Sequence, residues 1–222
     1  MKRQRIFNDV IFVLLLFLSL VFLIPVITVL INSFKDKFSI SQTPFILPNK
    51  STFVGFENYI SGIEDTGFVS AFLWSLFITV FSVLVIVIFT SMTAWYITRV
   101  KSRTSRVLYY LFVFSMIVPF QMVMFTMSKI ANVLSLDNPF GLIFIYLGFG
   151  AGLSVFIFSG FVKSVPLSLE EAAIIDGCNV FQTFWSVVFP ILKPTAITVA
   201  ILNTMWVWND YLLPYLVIGS DY

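Results

Sequence analysis

Three carboxylate side chains stand close together in one short segment and are the first candidates for chemistry. Glu170 and Glu171 are adjacent, and Asp176 follows after a run of alanine and isoleucine. Paired carboxylates can act as general acid and base, but adjacent residues on a helix point to different sides. The chain has no histidine and one cysteine, Cys178, so the commonest bases and metal ligands are missing. These residues predict neither a catalytic site nor a metal site, and they disfavour a membrane enzyme.

Polar side chains inside an apolar stretch are the second kind of candidate. An ionisable residue in such surroundings is a functional candidate by default, because it is costly to bury. Asp210 could line a substrate path or lie at the water interface, and Asn203 could equally bridge two helices. The residues alone leave both interpretations open. The candidate path residues are Asn203, Thr204, Asn209 and Asp210.

The composition of the chain indicates what surrounds these residues. Hydrophobic residues make up 59% of the 222 residues and charged residues only 11%. A soluble domain usually carries about 25% charged residues, so most apolar side chains here must face lipid. The net charge of +2 is too small to indicate a nucleic-acid partner.

Charge-free stretches of about 20 residues predict five membrane spans. Backbone polar groups in hydrocarbon must be satisfied within each segment, and no stretch alternates with period two, so the spans are helices. The fold class is an all-α polytopic membrane helix bundle, and Pro25 and Pro119 should kink the first and third spans. The spans are Val10–Phe34, one within Thr66–Thr98, one within Val107–Ser128, one within Asn138–Val162, and Ile191–Leu213.

The distribution of basic residues predicts the orientation of the chain. Nine of the 13 lysines and arginines fall on the side of the N-terminus, and the other four, Lys35, Lys37, Lys50 and Lys129, fall on the opposite side. The positive side is cytoplasmic, so the N-terminus is inside. The segment from Lys35 to Gly67 is then external, and its prolines and polar residues predict little regular structure.

The domain organisation follows from these spans. Residues 1–65 form a membrane anchor helix with an external loop, and residues 66–222 form the main transmembrane domain. The tail after Val217 has no further span, so we expect a chain that is truncated at its C-terminus.

The loop between the fourth and fifth spans, residues 163–190, predicts a helix, a break and a second helix. Ser168 and Glu171 have the spacing of a capping box, Gly177 can end the first helix, and Pro190 should stop the second. Exposed apolar residues beside charges indicate either a docking surface for a protein or a helix on the lipid surface. The physical properties of these residues alone favour neither the docking surface nor the helix on the lipid surface.

The residues of this loop resemble a known family. Glu171-Ala172-Ala173, Asp176-Gly177 and Phe189-Pro190 resemble, in type and spacing, the EAA loop of binding-protein-dependent ABC importer permeases. Asn32-Ser33-Phe34-Lys35, Glu57-Asn58-Tyr59 and Trp208-Asn209-Asp210 are similar to the carbohydrate-uptake branch. The chain is most similar there to the second permease subunit of maltose-type importers, which normally has six spans.

The resemblance implies a type I ABC importer transmembrane domain in a bacterial cytoplasmic membrane, moving a sugar or oligosaccharide by alternating access. It implies a second permease subunit in a heterodimer, two ABC ATPases that use ATP and Mg, and an extracellular or periplasmic sugar-binding protein. This chain itself would bind no cofactor. The loop residues that would couple to the ATPase are Glu170, Glu171, Ala172, Ala173, Asp176, Gly177 and Pro190.

A secondary transporter or a channel is the alternative, but such proteins place ionisable residues inside their spans, and the first four spans carry none. The sequence has no G-x-x-x-x-G-K-[ST] pattern, so a partner must supply ATP hydrolysis. Gly148 and Gly152 have the G-x-x-x-G spacing that predicts close helix packing inside the fourth span.

Overall fold

The computed structural model describes residues 2–219, and its secondary structure there is helical apart from one isolated β-bridge. A one-turn π-helix covers Phe184–Val188. The α-helices are α1 Lys2–Asn32, α2 Lys37–Gln42, α3 Glu57–Asp65, α4 Phe68–Arg99, α5 Arg103–Ser115, α6 Phe120–Val133, α7 Pro139–Val162, α8 Leu167–Ile175, α9 Val180–Thr183, α10 Phe189–Asn209 and α11 Leu212–Ile218.

The chain divides into two compact units, Met1–Val69 and Ser70–Tyr222. In the first unit, Phe7–Asn32 is long and apolar enough to cross a membrane, and its hydrophobic side chains are exposed, as expected of a lipid-facing helix. Pro25 lies inside α1, which continues through it.

The segment from Lys35 to Gly67, which the sequence predicts to be external, contains α2 and α3, so the expectation of little regular structure was wrong. Asp36 caps α2 by accepting hydrogen bonds from the backbone N–H groups of Phe38 and Ser39. The Asn58 side chain donates to the carbonyls of Ser33 and Lys35 at 2.9 and 2.7 Å. The cap formed by Asp36 and the hydrogen bonds of the Asn58 amide therefore order a segment that has few periodic apolar residues.

The second unit is built on α4, α7 and the continuous helical stretch Val180–Asn209 that ends with α10, each long and apolar enough to cross a membrane. One hydrophobic cluster joins their ends nearest Arg99, and a second cluster joins the opposite ends. The first cluster centres on Phe158, Phe184 and Leu192, and the second on Tyr146 and Leu142, all of which are buried.

The predicted third span is two helices rather than one kinked helix. α5 ends at Ser115, Pro119 precedes α6, and the two helix axes differ by 107°. Proline has no N–H, and it disfavours helical geometry at the preceding residue, so a helix ends readily before it.

The pair α5–α6 nevertheless crosses the membrane once. The side chain of Arg99, the last residue of α4, donates to the carbonyl of Val165, which follows α7, at 2.9 Å. The C-terminal ends of α4 and α7 therefore lie together. α4 and α7 both have the length of a span, so they run in the same direction and the chain between them must return to the other side. When this broken span is counted once, residues 2–219 contain the five predicted spans.

The start of the last span also differs from its prediction, because Pro190 does not stop a helix. Helical structure is continuous from Val180 to Asn209, and Pro190 lies in the first turn of α10, directly after the π-helix. A π-turn changes the hydrogen-bonding register, which accommodates the missing N–H of a proline placed just beyond it.

Candidate functional site

The candidate site is α8 with the turns on either side of it. α8 begins after Pro166, so Ser168 lies inside its first turn and makes no cap. The predicted capping box of Ser168 and Glu171 was therefore wrong. A capping box does form, but at the start of α9, between Asn179 and Gln182, with both hydrogen bonds at 2.9 Å.

Gly177 ends α8, as the sequence predicts. Its φ of 87° lies in the left-handed region, which residues with a Cβ rarely adopt. The N–H groups of Gly177 and Cys178 donate to the carbonyls of Ile174 and Ala173, which closes the helix end. The glycine thus sets the angle at which the chain leaves α8.

The two adjacent glutamates have different surroundings. Glu170 is 4% exposed, whereas Glu171 is exposed. Arg99, the last residue of α4, donates to Oε1 of Glu170 from Nη2 at 2.6 Å and from Nε at 2.9 Å. The indole N–H of Trp95 donates to Oε2 at 3.0 Å. Both oxygens of Glu170 are therefore satisfied by α4.

We call the group Trp95, Arg99 and Glu170 the Arg99–Glu170 clasp. Charge-assisted hydrogen bonds of this kind are short and directional, and here they are largely shielded from water. The clasp also reaches the π-helix, since the rings of Trp95 and Phe184 lie 5.4 Å apart. α8 is therefore attached to the end of α4 and, through Trp95, to the turn that leads into α10.

The opposite side of α8 faces outward, and we call it the docking face. It comprises Glu171, Ala172, Ile174 and Ile175, all exposed, with Ile175 at 85%. Asp176, Gly177 and Pro190 are exposed as well, while Ala173 is buried on the inner side. An apolar surface with a carboxylate beside it, on a helix anchored from behind, can bind a partner.

The glycines of α7 pack differently from the prediction. A Cβ on Gly152 would lie 2.6 Å from Ser115 Oγ and 2.8 Å from the carbonyl oxygen of Phe112, so α5 approaches closely there. Gly148 has no such neighbour within 4 Å and lines a cavity of about 460 Å³ in the bend between α5 and α6. The close packing predicted for Gly148 was wrong, because the chain turns away after Ser115.

We expect Gly152→Ala to destabilise the protein and Gly148→Ala not to. The new methyl at position 152 meets a backbone oxygen, and overpacking of this kind costs about 1–3 kcal/mol, partly offset by about 1 kcal/mol of helix propensity. Gly148→Ala gains the propensity without the contact. Chemical denaturation in detergent measures both variants, and equal stability would show that α5 and α7 are not tightly packed at Gly152.

The candidate path residues are not brought together. Asn203 is buried, and its amide donates to Ser154 Oγ of α7 at 3.1 Å and to the Val199 carbonyl at 2.9 Å. Thr204 is exposed, and Asn209 is exposed and donates to the Met205 carbonyl. Asn203 therefore contacts a neighbouring helix, whereas the other two face outward.

Asp210 is half-buried where α10 ends. Its carboxylate accepts a hydrogen bond from the Tyr146 hydroxyl at 3.2 Å and one from the backbone N–H of Leu213 at 3.3 Å. It also lines a cavity of about 440 Å³ together with Trp208 and Tyr211. A carboxylate accepts hydrogen bonds from hydroxyl groups, and aromatic rings beside it offer apolar faces for packing.

Sequence reasoning missed three residues of these sites, Trp95, Arg99 and Tyr146. Trp95 and Arg99 are four apart, so a helix places them on one face, and this spacing could have been noticed. What could not be read was their partner, because Glu170 lies far along the chain. Within residues 2–219 no group of three or more histidine, cysteine or acidic residues is placed to hold a metal ion.

The apolar helices and the anchored loop define this chain as a polytopic membrane protein. A family model described as "Binding-protein-dependent transport system inner membrane component" matches residues 86–221, which include the clasp, α8 and α10. The chain belongs to this family. Its role is that of a permease subunit.

Two sequence relatives support the assignment to this family. The chain is 44% identical to the "Probable starch degradation products transport system permease protein AmyC" of Thermoanaerobacterium thermosulfurigenes, covering 91% of this chain and 73% of the relative. It is 37% identical to the multiple sugar-binding transport system permease protein MsmG of Streptococcus mutans, covering 95% and 76%.

A bacterial ABC transporter involved in the import of the acidic polysaccharide alginate, known from a crystal structure, has a chain with the same fold. The TM-score is 0.84 at 28% identity, and the match covers 98% of this chain and 76% of the other. The predicted membrane helix bundle of the type I ABC importer class and the predicted family are both confirmed.

Proposed function

We propose that this chain is a permease subunit of an ATP-driven sugar importer, and that the docking face of α8 binds the ATPase. The relatives named for starch degradation products and for multiple sugars support a saccharide substrate. The observation that carries the coupling role is the two-sided structure of α8, where Glu170 is held from behind while Glu171, Ala172 and Ile175 are exposed.

The attachment of α8 to α4 suits a helix that transmits movement from a bound ATPase to the membrane spans. A docking helix on a flexible loop would move without moving the spans, whereas the clasp joins α8 to α4 by three hydrogen bonds. A displacement of α8 is then passed to α4 and, through Trp95 and Phe184, to α10. Movements of such spans against a partner subunit are what alternating access requires.

The proposed assembly contains a second permease subunit, two ABC ATPases and an external saccharide-binding protein. In this proposal the ATPases use ATP and Mg, and this chain contributes no cofactor site. The two regions of the chain, residues 1–65 and 66–222, serve as anchor with external segment and as transport domain. The chain crosses the bacterial cytoplasmic membrane several times, and we propose that its N-terminus is inside, because nine of the 13 lysines and arginines are predicted on that side of the spans.

For the substrate path, we propose the cavity at Asp210. The carboxylate and the rings of Trp208 and Tyr211 offer a hydrogen-bond acceptor and apolar faces to a sugar. Thr204 and Asn209 are exposed and could border the path, whereas Asn203 acts as a contact between α7 and α10. A residue of the path changes transport when it is substituted, and a residue of the helix contact changes stability.

The experiment that tests the coupling proposal is photo-crosslinking from Ala172. We expect a photoreactive residue at this exposed position to capture an ABC-type ATPase in native membranes. The control places the same photoreactive residue at position 110, because Tyr110 is exposed on α5 outside the docking face. It should capture lipid or other membrane proteins.

Capture of lipid alone from Ala172, together with no ATPase in a mild-detergent pulldown, would overturn the coupling role. α8 would then be an interfacial helix, and the protein would move its solute without ATP coupling, as a secondary transporter or channel does.

A further inference from the structure

Three consecutive apolar side chains are exposed in the segment that follows α1. They are Phe45, Ile46 and Leu47, and we call them the apolar tip. Phe45 is 78% exposed and Leu47 is 68% exposed, and residues 38–49 carry no charge. A contiguous apolar surface of this kind normally marks a contact with a partner protein or with a membrane.

The fold holds the apolar tip against the last turn of α1. The Asn32 side chain donates to the carbonyl of Thr28, one turn back in α1, and to the carbonyl of Pro44, both at 2.8 Å. Side chains on a helix lean towards its N-terminus, so this amide lies on the membrane side of its own Cα. Pro44 is therefore held level with the last turn of the span, and the apolar tip follows directly after it.

A second contact fixes the same turn of the chain. The ammonium group of Lys35, which is buried, donates to the carbonyl of Thr43 at 2.6 Å. The backbone N–H of Ile46 donates to the same carbonyl at 3.2 Å. Pro44 and Pro48, on either side of the apolar tip, have no N–H. The tip therefore has few backbone donors that would lose hydrogen bonds on leaving water.

The depth of this turn in the membrane follows from the length of α1. Asp9 is the last charged residue before the apolar stretch, and a crossing of about 20 residues from Val10 ends near Val29. The last turn of α1 therefore lies at the boundary between acyl chains and headgroups. The helix before it exposes its hydrophobic side chains, so the apolar tip continues a surface that faces lipid.

We propose that the apolar tip inserts into the lipid bilayer where α1 ends, and that the Asn32 side chain holds it at this depth. The partner is the lipid surface itself, because the tip lies beside a membrane span at the boundary where amphipathic segments insert. Aromatic side chains such as Phe45 pack well at this level, and the tip places no charge in the lipid. Insertion anchors the segment that follows α1 to the membrane surface.

The test is electron paramagnetic resonance of the full chain in phosphatidylcholine vesicles. A nitroxide label is attached to Ile46→Cys in a chain that also carries Cys178→Ser. Collisions of the label with oxygen report lipid, and collisions with a water-soluble nickel chelate on both sides of the vesicle report water. Leu20→Cys, at an exposed position inside α1, is the reference for lipid. Ser51→Cys, at an exposed position beyond the apolar tip, is the reference for water.

We expect the ratio of oxygen to nickel collision rates to be about tenfold higher at position 46 than at position 51, because a polar chelate is largely excluded from lipid. The ratio at position 20 should be higher still, since that position lies deeper in the hydrocarbon.

Two variants at the end of α1 test what holds the tip. Asn32→Ala removes the hydrogen bond to Pro44, so the ratio at position 46 should fall towards that at position 51. Ser33→Ala is the matched control, because the Ser33 hydroxyl bonds to the Leu30 carbonyl and the Tyr59 hydroxyl and not to the tip. This variant should leave the ratio unchanged.

Three results would contradict the proposal. Frequent nickel collisions at position 46, equal to those at position 51, would show that the apolar tip faces water. Few collisions with either reagent would show that protein covers it, as expected of a docking surface for another chain. An unchanged ratio in Asn32→Ala would show that the contact with α1 does not set the depth. None of these results depends on whether α8 binds an ATPase.

Discussion

Glu170→Ala is expected to lower the free energy of unfolding by about 3–5 kcal/mol, the range for removing one partner of a buried ion pair. Arg99 is left with no carboxylate although its side chain is only 20% exposed, and the indole N–H of Trp95 loses its acceptor. The expected value is near the lower end of the range, because Arg99 keeps partial access to water and its bond to the Val165 carbonyl. Chemical denaturation in detergent measures the change.

Glu171→Ala is the matched control, because it removes the same side chain from the next position. Glu171 is exposed, so this variant should stay within about 0.5 kcal/mol of the natural protein. Glu170→Gln should lie between, since an amide oxygen still accepts from Arg99 or Trp95 without the charge. Equal stabilities of the two alanine variants would mean that the clasp does not hold α8.

Glu170→Ala and Glu171→Ala also distinguish the anchoring of α8 from the binding of an ATPase to it. If the docking face binds an ATPase, Glu171→Ala weakens that association while the fold stays intact, and Glu170→Ala affects both. Adjacent residues of one type would then have two different roles, decided by the side of α8 on which each lies.

Asn203→Asp is expected to cost about 3 kcal/mol of stability, which is the cost of a carboxylate inside a membrane helix. Asn203 is 4% exposed, and its amide donates to Ser154 and to the Val199 carbonyl. A carboxylate cannot donate either bond, and its charge is placed among apolar residues. Asn203→Leu loses the same bonds without adding charge, and should cost only about 1 kcal/mol.

This comparison also tests where the substrate passes. A carboxylate at position 203 would be hydrated and tolerated if a water-filled path ran beside it, so an unchanged stability of Asn203→Asp would return Asn203 to the path. Asp210→Asn serves as the contrast, since it should raise the sugar concentration for half-maximal transport while stability changes little. Unchanged transport in Asp210→Asn would remove Asp210 from the path.

The spans within residues 2–219 and the helix break between the fourth and fifth of them were predictable from the sequence. Long charge-free stretches must be helices in lipid, whatever their neighbours are, so the spans follow from local composition. The end of α8 at Gly177 follows from the backbone freedom of one residue, which is also a local property.

Local reasoning failed where a tertiary contact or a neighbouring turn changed the outcome. Ser168 had the spacing of a cap, but the start of α8 after Pro166 put it inside the helix. Pro190 had the appearance of a helix stop, but the π-turn before it accommodates it. Gly148 and Gly152 have the spacing of a helix-packing motif, yet α5 closely approaches only Gly152.

The sequence by itself therefore determined the membrane-spanning helices within residues 2–219 and the helix break at Gly177, because those features depend on residues that are near one another. Only the tertiary structure decided which side of the loop is anchored. Arg99 and Glu170 lie 71 positions apart, and neither composition nor periodicity reports a contact over that separation. A buried ion pair is formed by the packing of α4 against α8, so it can be known only once the chain has folded.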